Sequence, residues 1–256
     1  MTGPERSDES SIGWIVPDWP APPTVRAAVT TRRMAGSSAA PFDAFNLGGR
    51  GDDPAAVAAN RAALIERLAL PASPRWLRQV HGIDVLDADE SIADQEKTAD
   101  AAVSRGEAVL AVLTADCLPI LFCSEDGDAV AAAHAGWRGL AAGVAEATIA
   151  RLGVPAARLM AWLGPAIGAR SYEVGEEVRA AFVGIDPRAA EAFAPTRPGH
   201  WLCDLYALAH QRIAAAGVER VYGGGFDTYA DARFYSYRRE RETGRFASLI
   251  WNVRQA

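Results

Sequence analysis

The chain has 256 residues, half of them apolar, with 23% charged residues and a formal net charge of −6. That balance speaks against a nucleic-acid or anionic-membrane surface, since those partners require an excess of Lys and Arg on one face. Two domains would fit the length, but no Pro/Ser-rich linker or charge block marks a boundary, so a single domain over residues 13–256 is expected. Residues 1–12 read as a loose polar tail, with neither the basic start nor the apolar stretch of a secretory signal. The most apolar segment, Ala108 to Cys123, is interrupted by Asp116 and Pro119, and no run of about 18 apolar residues could span a bilayer. A cytoplasmic location is therefore expected. There Cys117 would stay reduced, as ligand or nucleophile.

In chain order, Val25 to Thr31 reads as a strand, and Asp53-Pro54 opens a helix, with Asp53 as N-cap and Pro54 in the first turn. Val57, Arg61, Leu64, Ile65 and Leu68 form the expected inward stripe of that helix. Trp76 to Val80 reads as a short strand ending at His81. The apolar runs Ala108–Thr114 and Leu118–Cys123 suit buried strands, and the break between them carries Asp116 and Cys117. Ala129 to His134 is a further strand. One helix is expected from about Arg138, with Leu140, Val144, Ala147 and Leu152 inward and Gly153 closing it. Leu159 to Leu163 is a strand, Val174, Val178 and Phe182 mark a helix, and Asp204 caps another that ends at Gly217. Phe234 to Arg239 alternates, and with a turn at Thr243-Gly244 and a strand to Trp251 it predicts a β-hairpin.

Three segments carry chemistry. His81 lies in Gln79-Val80-His81-Gly82, Cys117 in Thr114-Ala115-Asp116-Cys117-Leu118-Pro119, and His134 in His134-Ala135-Gly136-Trp137-Arg138-Gly139. Imidazole and thiolate are zinc ligands, and three protein donors with a fourth position open define a catalytic rather than a structural site. The donors are 36 and 17 residues apart, so no short finger-type spacing holds them together. Each histidine alone reads more readily as a buried, hydrogen-bonded core residue than as a ligand. The helix N-terminus after His134, with Arg138, would favour an anion such as phosphate. No Walker loop and no Gly-x-Gly-x-x-Gly follows a strand, and Gly48 to Gly51 and Gly223 to Gly225 read as turns.

Gln79-Val80-His81-Gly82, Thr114 to Pro119, His134 to Gly139, Leu163 to Gly168 with Tyr172 to Gly175, and Phe234 to Arg239 followed by Thr243-Gly244-Arg245 together resemble the YfiH family. Thr31-Arg32, Phe45 to Gly48 and Asn60-Arg61 extend the match to almost everything after residue 25. The family carries three labels: laccase-like polyphenol oxidase, purine nucleoside phosphorylase and peptidoglycan editing factor. The resemblance implies a single-domain mixed α/β fold, a four-layer α/β/α/β sandwich. It also implies zinc on His81, Cys117 and His134. The implied chemistry is phosphorolysis of adenosine, inosine and 5′-methylthioadenosine, and deamination of adenosine to inosine. One departure is Asp227, which stands where the family usually has Cys.

Within that implication the residues can be given roles. In deamination, zinc-activated water would attack C6 of the purine, and Asp116 is the nearest carboxylate for proton transfer, or else an acceptor within its own turn. In phosphorolysis, Arg32, Arg138, Arg239 and Asn46 are candidates for phosphate or substrate contacts, with Arg238 and Arg245 in reserve. Tyr172, Trp137 and Phe45 could stack on a purine, although aromatic residues in apolar patterns are usually core. Four histidines are too few for a multicopper oxidase, so copper would be adventitious at the His/Cys site. The rival enzyme class is a metal-free cysteine hydrolase with Cys117 as nucleophile and His81 or His134 as base. Purine nucleosides and phosphate are the expected partners, and a monomer is allowed.

Overall fold

The computed structural model describes residues 13–48, 51–90 and 96–253. The expected tail at 1–12, together with Gly49 and Arg50, lies outside them. The first half of the chain forms β1 (Trp14–Ile15), β2 (Val25–Thr30), α1 (Pro54–Arg67), β3 (Leu77–Arg78), β4 (Val85–Asp87), β5 (Lys97–Thr98), β6 (Ala101–Ser104), β7 (Leu110–Thr114), β8 (Leu118–Ser124) and β9 (Val130–Ala135). Then follow α2 (Trp137–Ala142), α3 (Val144–Leu152), β10 (Leu159–Leu163), β11 (Glu173–Gly175), α4 (Glu176–Val183), β12 (Phe193–Arg197), β13 (His200–Cys203), α5 (Leu205–Ala215), β14 (Arg220–Gly223), α6 (Tyr237–Glu240) and β15 (Phe246–Asn252).

Two sheets form the centre. One has four strands in the order β1-β2-β15-β7, the other six in the order β14-β10-β8-β9-β6-β4. They face each other through Val29, Val112, Phe246 and Ile250 on the first and Leu121, Cys123, Ala132, Met160 and Trp162 on the second. The outer face of the six-stranded sheet is as apolar as its inner face, because its strands are near-continuous Ala/Val/Leu runs. Ile120, Phe122, Ala131 and Leu159 accordingly meet α2, α3 and α5 through Leu140, Val144, Ile149, Leu208 and Ile213. The outer face of the smaller sheet meets α1 through Ala28, Ala111, Leu249 and Leu64. Four layers are present in a mixed α/β fold, and they stack helix, sheet, sheet, helix. The two sheets pack on each other because each has an apolar inner face that the other can cover. Each fully buried Leu, Ile or Phe in these layers contributes about 1.5–3 kcal/mol.

The Asp53 side chain accepts from Ala55 N, as expected of an N-cap. The buried stripe of α1 is Ala56, Asn60 and Leu64, while Val57, Arg61, Ile65 and Leu68 flank it half-buried. The stripe is rotated because Asn60 satisfies its amide internally, donating to Ser38 Oγ at 2.9 Å and Asn46 O at 2.8 Å. The single helix expected after His134 is broken. Gly143 takes φ +106°, ending α2 after six residues and starting α3 in a new direction. Val174 belongs to β11, and α4 begins only at Glu176. The predicted closing hairpin is also absent. Ser236 Oγ accepts from Arg239 N and caps the short helix α6, and β15 pairs with β2 and β7 instead of with a strand at 234–239. Trp76 to Val80 yields only the two-residue β3. Of the expected turn at Gly223 to Gly225, Gly223 instead ends β14 and Gly224 and Gly225 follow it as irregular chain, all three at positive φ. No helix among the described residues is long and apolar enough to cross a membrane.

Candidate active site

Register brings the three donors together. Leu118 pairs with Ala135 and Pro119 with His134, so Cys117, just before β8, lies beside the end of β9. Ala101 pairs with Ala133, and His134 N donates to Asp100 O at 2.7 Å, which places the start of β6 at the same end. Val85 pairs in parallel with Ala101, so the loop before β4, with His81, arrives there too. His81, Cys117 and His134 each offer a ligand atom, and these atoms lie within 4.8 Å of one another. Sγ of Cys117 is 3.7 Å from His81 Nε2, and the two imidazoles stand edge to face with centroids 4.7 Å apart.

Local backbone geometry serves this convergence. The turn 115–117 carries the chain from the smaller sheet to the larger one, with Asp116 at φ +93°, and His81 stands at φ +63°. Both are non-glycine residues in the left-handed region, a strain found where surrounding structure dictates an orientation. Gly136 is required by close approach: a Cβ there would lie 2.8 Å from His81 Cδ2 and 3.0 Å from Cys117 Sγ.

Beneath the donors is Asp100, fully buried, which the sequence reading missed. Its carboxylate accepts from His134 Nδ1 at 2.8 Å, Val80 N at 3.1 Å, His81 N at 2.8 Å and Gly82 N at 2.6 Å. Burial pushes its pKa up, but the bonds from His134, Gly82 and Val80 outweigh this and hold it below the usual carboxylate range. The available signal was an acid placed directly before the apolar run 101–103. Burial likewise pushes the Cys117 thiol up, and His134 and His81 reverse the shift to about 6. Burial pushes His134 down, and the Cys117 sulfur and Asp100 carboxylate raise it to about 9. Each of the two groups thus favours the charged form of the other.

The donor chemistry fits a divalent metal: two imidazoles and a low-pKa thiolate at one point, one side accessible through the exposed His81. The remaining histidines lie elsewhere, His200 on β13 and His210 on α5. Among the described residues this is the one group of three such donors close enough together to hold a metal ion.

The structure sorts the other candidates. Arg239 commits all five N–H donors: Nη1 to Thr228 O and Tyr229 O, Nη2 to Phe234 O and Glu240, Nε to Glu240. None is left for phosphate. Arg32 pairs with Glu240 at 2.6 Å and Asp43 at 3.4 Å and lies over Tyr235. Asn46 is buried, accepting from Gly48 N and Arg245 N and donating to Asp52. Phe45 is wholly core. Arg138 is exposed over the Trp137 ring at 4.4 Å, and the six-residue α2 behind it carries little of the dipole assumed for a longer helix.

The former reserves are better placed. Phe246 pairs with Thr114, so Arg245 sits beside the 115–117 turn, where burial lowers its pKa and Cys117, Asp116 and Tyr237 oppose the shift. Its Nη1 donates to Thr243 O and Gly244 O, and it makes no ion pair among the described residues. Arg238 lies over the Tyr172 ring at 5.2 Å and donates from Nη1 to Glu173 O, also without a carboxylate partner among the described residues. Asp116 accepts from Thr228 Oγ1 at 2.6 Å and from Arg238 N at 2.7 Å, so it ties the arginine segment to the metal turn. Tyr172 lies within electrostatic reach of Cys117, Arg238 and Asp116. Asp227 accepts from Gly168 N and Ser171 Oγ and so fixes the loop after β10.

Fold and site define a mixed α/β protein with a His-Cys-His cluster that could hold a metal ion at the strand ends of two facing sheets. The family model described as multi-copper polyphenol oxidoreductase laccase matches residues 26–253. A purine nucleoside phosphorylase of Pseudomonas aeruginosa is 57% identical over 93% of this chain and 98% of its own length. The purine nucleoside phosphorylase YfiH of Escherichia coli K12 is 50% identical over 93% and 98%. A crystal structure of a Neisseria meningitidis protein superposes with a TM-score of 0.91 at 46% identity, covering 94% of this chain and 100% of that one. The chain belongs to the YfiH family.

Proposed function

We propose that this chain is a zinc-dependent purine nucleoside phosphorylase that also deaminates adenosine to inosine, acting on adenosine, inosine and 5′-methylthioadenosine. The observation that carries the reading is the juxtaposition of the His81, Cys117 and His134 donor set with Arg238 and Arg245, two arginines without an ion pair among the described residues, joined through Asp116. The names of the relatives support its phosphorylase part.

In this reading Arg245 and Arg238 hold phosphate and balance its charge, which a site of one metal and no free cation could not do. A phosphate oxygen forms a bond to C1′ as the C1′–N9 bond breaks. The bonding pair leaves with the purine, which takes up a proton, and ribose 1-phosphate remains. Tyr172, half-buried under Arg238, offers an aromatic face at the same place. Asp116 accepts from Thr228 Oγ1 and from the Arg238 N–H, one bond on each oxygen, and so keeps Arg238 in register beside the donor set. A divalent ion held by His81, Cys117 and His134 supplies Lewis-acid charge to either reaction.

Incubation with adenosine, with and without phosphate, tests this. Adenine formed only with phosphate, and inosine formed without it, are the expected products by chromatography. Neither product from folded, zinc-loaded protein would overturn the proposal. A second reading is favoured by one alignment, the Cys117 thiolate, His134 and Asp100 in the order nucleophile, base, orienting carboxylate, which suits a metal-free amidase acting on cell-wall precursors. Alkylation separates the two: a metal-bound Cys117 is protected until chelation, and a free nucleophile is not.

A further inference from the structure

We infer that Asp100 is the positioning residue for both histidine donors, so that the hold on a divalent metal depends on one buried carboxylate that touches neither metal nor substrate. The inference rests on the metal reading of the site given above.

Four donors converge on this carboxylate, and they come from the two ligand-bearing elements. From β9, His134 reaches Oδ1 through Nδ1, while its backbone N–H bonds Asp100 O. That pairing requires the proton on Nδ1 in a neutral ring and leaves the Nε2 lone pair for the donor cluster. From the loop before β4, three successive N–H groups, those of Val80, His81 and Gly82, point at the same two oxygens. Three consecutive amides aimed at one anion fold the chain back on itself, and His81 stands at φ +63° within that turn. Asp100 thus fixes the ring orientation of one ligand and the backbone of the other. With side chain and backbone both buried, no water can substitute for it.

The test is zinc affinity, measured by competition with a chromophoric chelator on D100N and D100E, with far-UV circular dichroism and a cooperative melt as the check on folding. Asn keeps the shape but turns one acceptor into a donor facing either His134 or the 80–82 amides. The expected result is a folded D100N protein whose zinc affinity has fallen about 10–100-fold, with no rescue by the longer D100E. Independently of any variant, long-range 1H–15N NMR of the zinc-loaded wild type should show His134 carrying its remaining proton on Nδ1. A folded D100N protein within twofold of wild-type affinity, or His134 protonated on Nε2 in the zinc form, would overturn the inference. Both readouts are separate from turnover: absence of nucleoside activity with these results intact would sink the proposed reaction and leave the role of Asp100 standing.

Discussion

The two halves of the site are built differently. The metal half stands on the ends of β6, β8 and β9, paired residue by residue, and on a single buried carboxylate. The proposed anion half, Arg238 and Arg245 with Tyr172, stands on the short helix α6 and on loops, held by backbone N–H bonds to Asp116 and Asn46 and by the bond from Thr243 Oγ1 to Glu240. Strand ends inside a sheet move as one body, whereas loops tied by individual bonds can shift one at a time. Damage to the first half should therefore abolish the site, and damage to the second should retune it.

The largest expected effect follows from removing a donor. C117S or H134A should lose stoichiometric zinc and lower kcat/KM by at least about 100-fold, on the scale of losing a main source of transition-state charge stabilisation; metal analysis and steady-state kinetics check it. An intermediate effect is expected in the anion half. R245A should raise the KM for phosphate about 10–100-fold with a smaller change in kcat, since charge-assisted hydrogen bonds contribute about 1.5–3 kcal/mol. R239A should instead lower Tm, because its donors hold Thr228, Tyr229 and Phe234 in place. Equal kinetic consequences for the two arginines would erase the distinction drawn here.

Glu240 offers a pH-dependent version of the comparison. Burial raises its pKa, and Thr243, Arg32 and Arg239 outweigh this and leave it below the ordinary glutamate value of 4.5. A depressed folded pKa means stabilisation that is present above the unfolded value and lost as pH falls through the folded one. E240Q should therefore cost about 1–3 kcal/mol at pH 7, with the gap to wild type closing on acidification below about pH 4.3, in urea unfolding followed against pH. The smallest effect is expected from H200A and H210A, which should keep zinc content and activity within about twofold, since both lie outside the donor cluster.

Much of the metal half was legible in the sequence because it obeys local rules. Leu118–Cys123 and Ala129–His134 are apolar runs whose ends can be read, and the break at 115–117 announces itself through Asp116 and Pro119. Asp53-Pro54 gave the start of α1 for the same reason. Asp100 was not legible, because its partners are twenty and thirty-four residues away and nothing in its own neighbourhood demands them. The segment 234–239 misled because alternation is compatible with a strand, while Ser236 as N-cap and the bond from Arg238 N to Asp116 decide for a short helix. The arginines needed reordering because Arg32 and Arg239 resemble Arg238 and Arg245 in sequence, and only their folded partners, Glu240, Asp43 and the carbonyls of 228, 229 and 234, tell them apart. Gly143 shows a residue that reads as tolerable within a helix and, at φ +106°, ends one.

The most direct test of the account is a zinc titration of metal-stripped protein, following adenosine phosphorolysis at saturating phosphate. Activity should rise with added zinc and level off at one equivalent, with Cys117 becoming resistant to alkylation over the same range. Activity that is already full without metal, or a Cys117 that stays equally reactive at one equivalent, would contradict it.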